Sequence, residues 1–322
     1  MNAVSQVAPP GLAVHQARLS DLFALTKPRI TANVLLTTAA GIFLAPGHLG
    51  LPRLIAALLG TALVVGGANI LNCYVERDTD ARMLRTRGRA LAAGRVDPRD
   101  GLMLGLSLAL IAIPLLCLAL NPLTGLLALV ALLSYVAVYT PLKRVTPKAL
   151  LVGAVPGAIP PLLGWTAVTG SLDLGGLLLF ALMFVWQLPH FLAITLYLKD
   201  DYARGGHRVM PLVRGEGAAR RHLLLWTLVL VPVSLSFSFC HLAGPAYAAG
   251  AVVLDAGFLV FAVRAVRISA GPAAVRSARA VFGYSLLYLV VLFPLLVANR
   301  RTPPAGSPSA PVVSSVSARG AR

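Results

Sequence analysis

The sequence predicts an all-α fold, a polytopic membrane protein of nine transmembrane helices, on three observations. Hydrophobic residues make up 57% of the 322 and charged ones 12%, with a mean hydropathy of +0.80, a balance that suits a bilayer rather than water. The apolar residues fall in long unbroken runs, near the roughly 20 residues a helix needs to cross a hydrocarbon core. The basic residues, which give a net charge of +17, gather in alternate loops.

The runs cover residues 30–46, 53–75, 102–120, 123–142, 148–168, 172–196, 222–243, 246–263 and 280–298. They are continuously apolar instead of alternating, which argues against a membrane barrel, and a helix satisfies its own backbone in lipid. Residues 1–21 precede them as a cytoplasmic segment with no apolar stretch before a small-residue cleavage site, so no removable signal peptide is expected. Residues 22–298 then form one membrane domain. Residues 299–322, rich in Pro, Ser, Gly and Ala, are expected to be a disordered tail.

So large a positive charge raises nucleic acid as a partner, but all except five of the 28 lysines and arginines fall on one side once the N-terminus is placed in the cytoplasm. That is the positive-inside pattern, and it excludes a nucleic-acid role in favour of membrane topology. Four of the five, Arg300, Arg301, Arg319 and Arg322, sit in the tail, which an odd helix count puts outside. Cys73, Cys117 and Cys240 show no ligand spacing, so neither a disulfide framework nor a structural metal is expected.

The outer loops are almost bare of reactive groups, so function belongs on the inner side. Asn72, Glu76 and Asp80 at the end of the second run are spaced i, i+4, i+8, which in a continuing helix puts them on one face, about 40° apart, with Asp78 pointing elsewhere. An amide and two carboxylates are hard oxygen ligands, suited to Mg²⁺ shared with a substrate phosphate. Arg85 and Arg89, in Arg85-Thr86-x-x-Arg89, supply cations for a diphosphate. The bland alternatives are a solvated helix end and a topogenic basic loop.

The fourth run ends in Tyr139 and Lys143, four residues apart, the lysine a point charge for a phosphate oxygen. The sixth ends in Tyr197-Leu198-Lys199-Asp200-Asp201-Tyr202 with Arg204 beyond. Asp201, four residues after Tyr197, is expected on its face, with Asp200 beside it. The second and sixth runs thus echo each other about 125 residues apart, a loose sign of a duplicated unit sharing one pocket. Deeper in the sixth run, Gln187 and His190 are polar groups at membrane depth, which points to a substrate cavity loosened by Pro189; interhelical hydrogen bonding is the ordinary alternative.

These residues resemble the UbiA superfamily of intramembrane prenyltransferases, and most closely the branch that farnesylates protohaem IX. The resemblance spans about residues 22–298 and rests on LTKPRITANVLLTTAAGIFLA (25–45), the 72–91 stretch, YTPLKRVTP (139–147), PPLLGWTAVTG (160–170) and WQLPHFLAITLYLKDDYARGG (186–206). It implies a UbiA-like helical bundle in the cell inner membrane, with farnesyl diphosphate and haem B as substrates and Mg²⁺ as cofactor. It implies Asn72, Glu76, Asp80 and Asp201 as catalytic, those four with Asp200 as metal ligands, and Arg85, Arg89, Tyr139, Lys143, Lys199 and Arg204 on the diphosphate. Gln187 and His190 would face the haem, and a haem A synthase would take the product.

The sequence departs from the family pattern at Glu76, where Asp is usual, and at Tyr197, where related families begin a second acidic motif. Ala90 and Ala149 stand where Pro and Asn are frequent. Two rivals remain: a prenyltransferase acting on a quinone or chlorin precursor, and a transporter, whose polar clusters would sit nearer the midplane.

Overall fold

The computed structural model describes residues 18–268 and 270–301. Nine apolar helices cross the molecule among them: α1 (Pro28–Leu44), α2 (Leu51–Asp80), α3 (Pro98–Ala119), α4 (Pro122–Leu142), α5 (Ala149–Thr169), α6 (Leu174–Tyr197), α7 (Glu216–Phe239), α8 (Pro245–Arg267) and α9 (Gly271–Ala298). Eight are long enough to span a membrane and α1, with 17 residues, is shorter. The chain is a multi-pass membrane protein.

Several helices outrun their apolar stretches. α2 begins at Leu51 and continues to Asp80, α7 starts at Glu216 rather than 222, and α9 at Gly271 rather than 280. Hydropathy measures the hydrocarbon thickness, whereas a helix propagates into water as long as its backbone bonds continue. Starts are marked by proline in the first turn of α1, α2, α3, α4, α8 and α9, where its missing N–H costs nothing. Asp97 and Asn121 cap α3 and α4, accepting from Arg99 N at 2.8 Å and Thr124 N at 2.9 Å.

The core is built in two parts. One apolar cluster is centred on α2, α3 and α4, and a second on α6, α7, α8 and α9; α1 and α5 contribute to both. Gly41 faces the Pro161 carbonyl and Gly164 the Thr38 carbonyl, so α1 and α5 approach backbone to backbone, as small residues permit in a membrane. Any larger side chain at either glycine would strike a carbonyl group. A third, smaller cluster packs Leu25 under Ile70, Cys73, Ala90, Leu91 and Val96 and fixes the 81–97 loop over the end of α2.

α6 runs continuously through Pro189, which leaves one backbone bond of the helix unmade. One expectation needs correcting. Asn299, Arg300 and Arg301, assigned above to the tail, are held: Gly244 N donates to Asn299 O and Arg301 N to Leu242 O, both at 2.9 Å, and the Arg300 guanidinium donates to the Phe43 carbonyl at the end of α1. Two of the discordant basic residues thus sit where a helix C-terminus offers unpaired carbonyls. The rest of the 299–322 stretch and residues 1–17 of the N-terminal segment lie outside the described residues.

Candidate active site at the loop-bearing end

α2 stays helical to its last acidic residue, so the i, i+4, i+8 spacing becomes a face. Asn72, Glu76 and Asp80 are 2%, 3% and 2% exposed, while the Asp78 side chain is 79% exposed. The Asn72 amide donates to Glu76 Oε2 at 3.0 Å and to Thr140 Oγ1 at 3.1 Å. Lys143 Nζ meets Glu76 Oε1 at 2.5 Å as an ion pair, and Arg89 Nη1 donates to Asp80 Oδ2 at 2.6 Å. Burial works against the charged Arg89, but Asp80 beside it outweighs this and raises its pKa.

α4 supplies its residues through a π-helical stretch, Ser134–Tyr139, a distortion frequent at functional sites. Thr140 leaves it donating to the Tyr135 carbonyl at 2.8 Å while accepting from Asn72. The Tyr139 ring stacks on Tyr135 with centroids 5.6 Å apart, and Lys143 Nζ lies 5.2 Å from the Tyr139 centroid. Arg144 clamps α4 to α2 by donating to Thr79 Oγ1 at 2.5 Å and to the Val75 carbonyl at 3.1 Å.

Of the second acidic cluster only Asp201 reaches toward the first, and it touches the loop after α2 rather than the α2 carboxylates. The α6 helix ends at Tyr197, and Leu198, at φ −109° and ψ 20°, breaks it before the short helix Lys199–Arg204. Tyr197 therefore does not share a face with Asp201; its ring packs edge-on against Phe282 of α9, 5.7 Å between centroids. Asp201 turns toward the loop after α2, accepting from Leu84 N at 2.7 Å, Arg85 N at 3.4 Å and Arg204 at 2.9 Å. Burial pushes its carboxyl up, but these donors outweigh it and hold the pKa below the usual range. Arg85, so positioned, lies 5.9 Å over the Tyr202 ring.

The structure does not bring Lys199 and Asp200 to this cluster. Lys199 Nζ pairs with Glu216 Oε1 at 2.6 Å, and Asp200 is exposed beside it. Gln187 and His190 are buried on different sides of α6. Gln187 Nε2 donates to the Ala154 carbonyl of α5 at 2.7 Å, and His190 Nδ1 shares a 2.7 Å hydrogen bond with Ser285 Oγ of α9.

Sequence reasoning missed three residues. Lys27 precedes Pro28 in the left-handed region at φ 52° and donates to Asn72 Oδ1 at 2.9 Å; burial lowers its pKa to about 8, with Arg89 and Lys143 nearby adding to the effect. Its only signal was a lysine beside the first proline. His207 is 5% exposed and its pKa lies at about 4, through burial and then Lys143. Thr140 looked like an ordinary turn residue.

Among the described residues no three acidic, His or Cys side chains close into a ready cage. The α2 donors nevertheless fit a divalent cation in chemistry. They are hard oxygens, all buried, and Glu76 Oε1 has no hydrogen bond, its one partner being the Lys143 charge.

Buried carboxylates paired with lysine and arginine at one end of a helical bundle define a membrane protein with a site suited to a phosphorylated substrate. The chain belongs to the UbiA prenyltransferase family, whose model matches residues 34–290. It is 52% identical over 298 residues to the protoheme IX farnesyltransferase of Anaeromyxobacter dehalogenans, covering 92% of this chain and 98% of that protein. To the protoheme IX farnesyltransferase of Myxococcus xanthus it is 48% identical over 281 residues, 87% of this chain and 95% of that one.

The fold is also that of two solved structures. A digeranylgeranylglyceryl phosphate synthase superposes with a TM-score of 0.74 at 12% identity, covering 87% of this chain and 98% of that one. A UbiA homolog from Archaeoglobus fulgidus bound to GPP and Mg²⁺ does so at 0.61 and 15% identity, covering 84% and 100%.

Proposed function

We propose that this chain transfers the farnesyl group of farnesyl diphosphate to a vinyl group of protohaem IX, giving haem O and diphosphate. The observation that carries this reading is the identity of about half of all residues, over nearly the full length, with proteins named for that reaction.

In this reading Arg85, Arg89, Lys143 and Arg204 hold the diphosphate. Lys143 and Arg89 now neutralise Glu76 and Asp80, so they are poised to exchange those partners for phosphate oxygens. Asn72, Glu76 and Asp80 would hold Mg²⁺, which when bound supplies Lewis-acid stabilisation of the diphosphate charge. Lys27 occupies the Asn72 carbonyl oxygen and withdraws from it when the site fills. Asp201 acts at one remove, fixing the backbone that carries Arg85.

The C1–O bond of the donor breaks as the cations take up charge on the leaving group. The haem vinyl group bonds to the resulting allyl cation, water captures the new benzylic-type cation, and the released proton goes to solvent. The bundle keeps water from the first cation until the vinyl group reaches it. His190, on the α9 side of α6, would stand nearer the porphyrin, while Gln187 is engaged with α5. The membrane is the cell inner membrane, with the N-terminus and the basic loops in the cytoplasm, and a haem A synthase is the expected consumer of the product.

The test is direct. Purified protein in detergent, given haem B, farnesyl diphosphate and Mg²⁺, should yield a farnesylated haem by chromatography and mass. Turnover of a phenolic acceptor with no product on haem would reject the reading.

A further inference from the structure

Lys199 belongs to a second polar site that diphosphate handling does not use. The ends of α6, α7 and α9 enclose a cavity of about 370 Å³ lined by Tyr197, Lys199, Asp200, Glu216, Arg220 and the first turn of α9. Arg220 is 2% exposed, a buried guanidinium that is only partly satisfied. Its Nη1 donates to the Ala265 carbonyl at 2.9 Å and its Nη2 to Glu216 at 3.3 Å, but its Nε has no partner among the described residues. A buried N–H left free is costly and uncommon.

The two cations of the lining face two carboxylates: Glu216 pairs with both Lys199 and Arg220, and Asp200 stands exposed at the rim. The N-terminus of α9 adds backbone donors, with no side-chain cap and no acidic residue in its first turn. Arg279 beyond the lining, the Arg220 Nε and the uncapped amides of α9 are the donors that Glu216 and Asp200 leave over.

An aromatic column leads from this cavity into the membrane between α6 and α9. Tyr197 lines the cavity, and the Arg279 guanidinium lies 5.7 Å from its ring centroid. Phe282 meets Tyr197 at 5.7 Å, His190 meets Phe282 at 4.9 Å, and Trp186 stacks on His190 at 4.8 Å. The polar mouth thus stands above a column of rings packed on one another, of which Tyr197 lines the cavity; a cation-bearing mouth over an aromatic suits an apolar molecule with acidic groups on one edge.

We infer that this cavity holds the carboxylate edge of the prenyl acceptor, with Lys199 and Arg220 as its lining cations, Arg279 beside them over Tyr197, and the Tyr197 ring against the acceptor's edge. The inference rests on the porphyrin reading above, since protohaem carries two propionates on one edge. The phosphate of an anionic lipid has the same chemistry, so the experiment separates the two.

The protein is placed in nanodiscs of zwitterionic lipid, and KM is measured for protohaem, for its dimethyl ester and for farnesyl diphosphate. Wild type should prefer the free acid. Lys199→Ala and Arg279→Ala should each shrink that preference by about tenfold, the worth of one charge-assisted contact, with the KM for farnesyl diphosphate within about twofold of wild type. Arg220→Lys, which retains a charge at the buried position, should shrink it less. Haem titration without donor, followed by absorbance, should show the same order.

Equal use of acid and ester by wild type, or an unchanged preference in both alanine variants, would overturn the inference while leaving haem farnesylation intact. Loss of the preference on adding anionic lipid, in wild type alone, would assign the cavity to a lipid headgroup instead. No farnesylation of either haem would reject the function itself.

Discussion

The ends of α2 and α6 look alike in sequence and are used differently. Each closes an apolar helix with acidic residues and leads into an arginine-bearing loop. The α2 end continues as helix, so its amide and two carboxylates share one buried face, the carboxylates paired to Lys143 and Arg89, cations that another anion can recruit. The α6 end breaks at Leu198, and its buried carboxylate is spent on two backbone N–H groups and Arg204. A carboxylate paired with lysine or arginine keeps its chemistry available, whereas one accepting backbone donors sets the position of a loop. The difference lies in what the oxygens face, which residue type alone does not reveal.

That contrast is broken or sharpened most strongly at α2. Asp80→Asn keeps the shape but removes the charge, and Glu76→Gln does the same one turn earlier. Each should lower kcat by about 10³-fold, the scale of losing a group that stabilises charge as the transition state forms. The loss should not be recovered by raising farnesyl diphosphate. Steady-state kinetics over a Mg²⁺ titration checks this, and turnover within about threefold of wild type at limiting Mg²⁺ would remove the metal role from this face.

Asp201→Asn should do less and do it differently. An asparagine side chain still offers one oxygen to Leu84 N, so the loop loosens without losing every bond. The expected loss is about 30-fold in kcat/KM, mostly in the KM for farnesyl diphosphate, in line with weakening charge-assisted bonds that hold a binding residue. Greater sensitivity to chymotrypsin at Met83 or Leu84 would accompany it. A pure kcat effect as large as that of Asp80→Asn would make the two ends equivalent and sink the comparison.

The fold was largely legible because a bilayer imposes one period and one length on every spanning element, and eight of nine runs pass that test in the structure as well. The α2 face was legible for the same reason: Asn72, Glu76 and Asp80 lie on a helix that never breaks. The α6 assignments failed at one residue. Leu198 leaves the helix with nothing in its side chain to announce it, and this carries Lys199 and Asp200 to the opposite side from Asp201. Lys27 was hidden because its positive φ and its contact 45 residues away are tertiary facts. Thr140 depends on a π-helical stretch that no hydrophobic period encodes.

The smallest effect concerns the joint between the two ends. His207 follows the α6 cluster, its ring lies 5.7 Å from Tyr202, and the next residue donates from Arg208 N to the Lys143 carbonyl at 3.0 Å. Its Nδ1 is buried with no partner among the described residues. Burial first, then the Lys143 charge, brings its pKa from 6.5 to about 4. A base whose folded pKa is depressed binds its proton more readily when unfolded, so between those values the unfolded chain holds more protons and stability rises with pH. The contribution is fully present above pH 6.5 and is lost as pH falls toward 4. The melting temperature in detergent should therefore drop by on the order of 5 °C across that window beyond the loss seen in His207→Phe. Parallel pH profiles for wild type and variant would show that the joint does not titrate, and would leave the coupling of the two ends to contacts such as Asp201 with the loop after α2 and Arg85 over Tyr202.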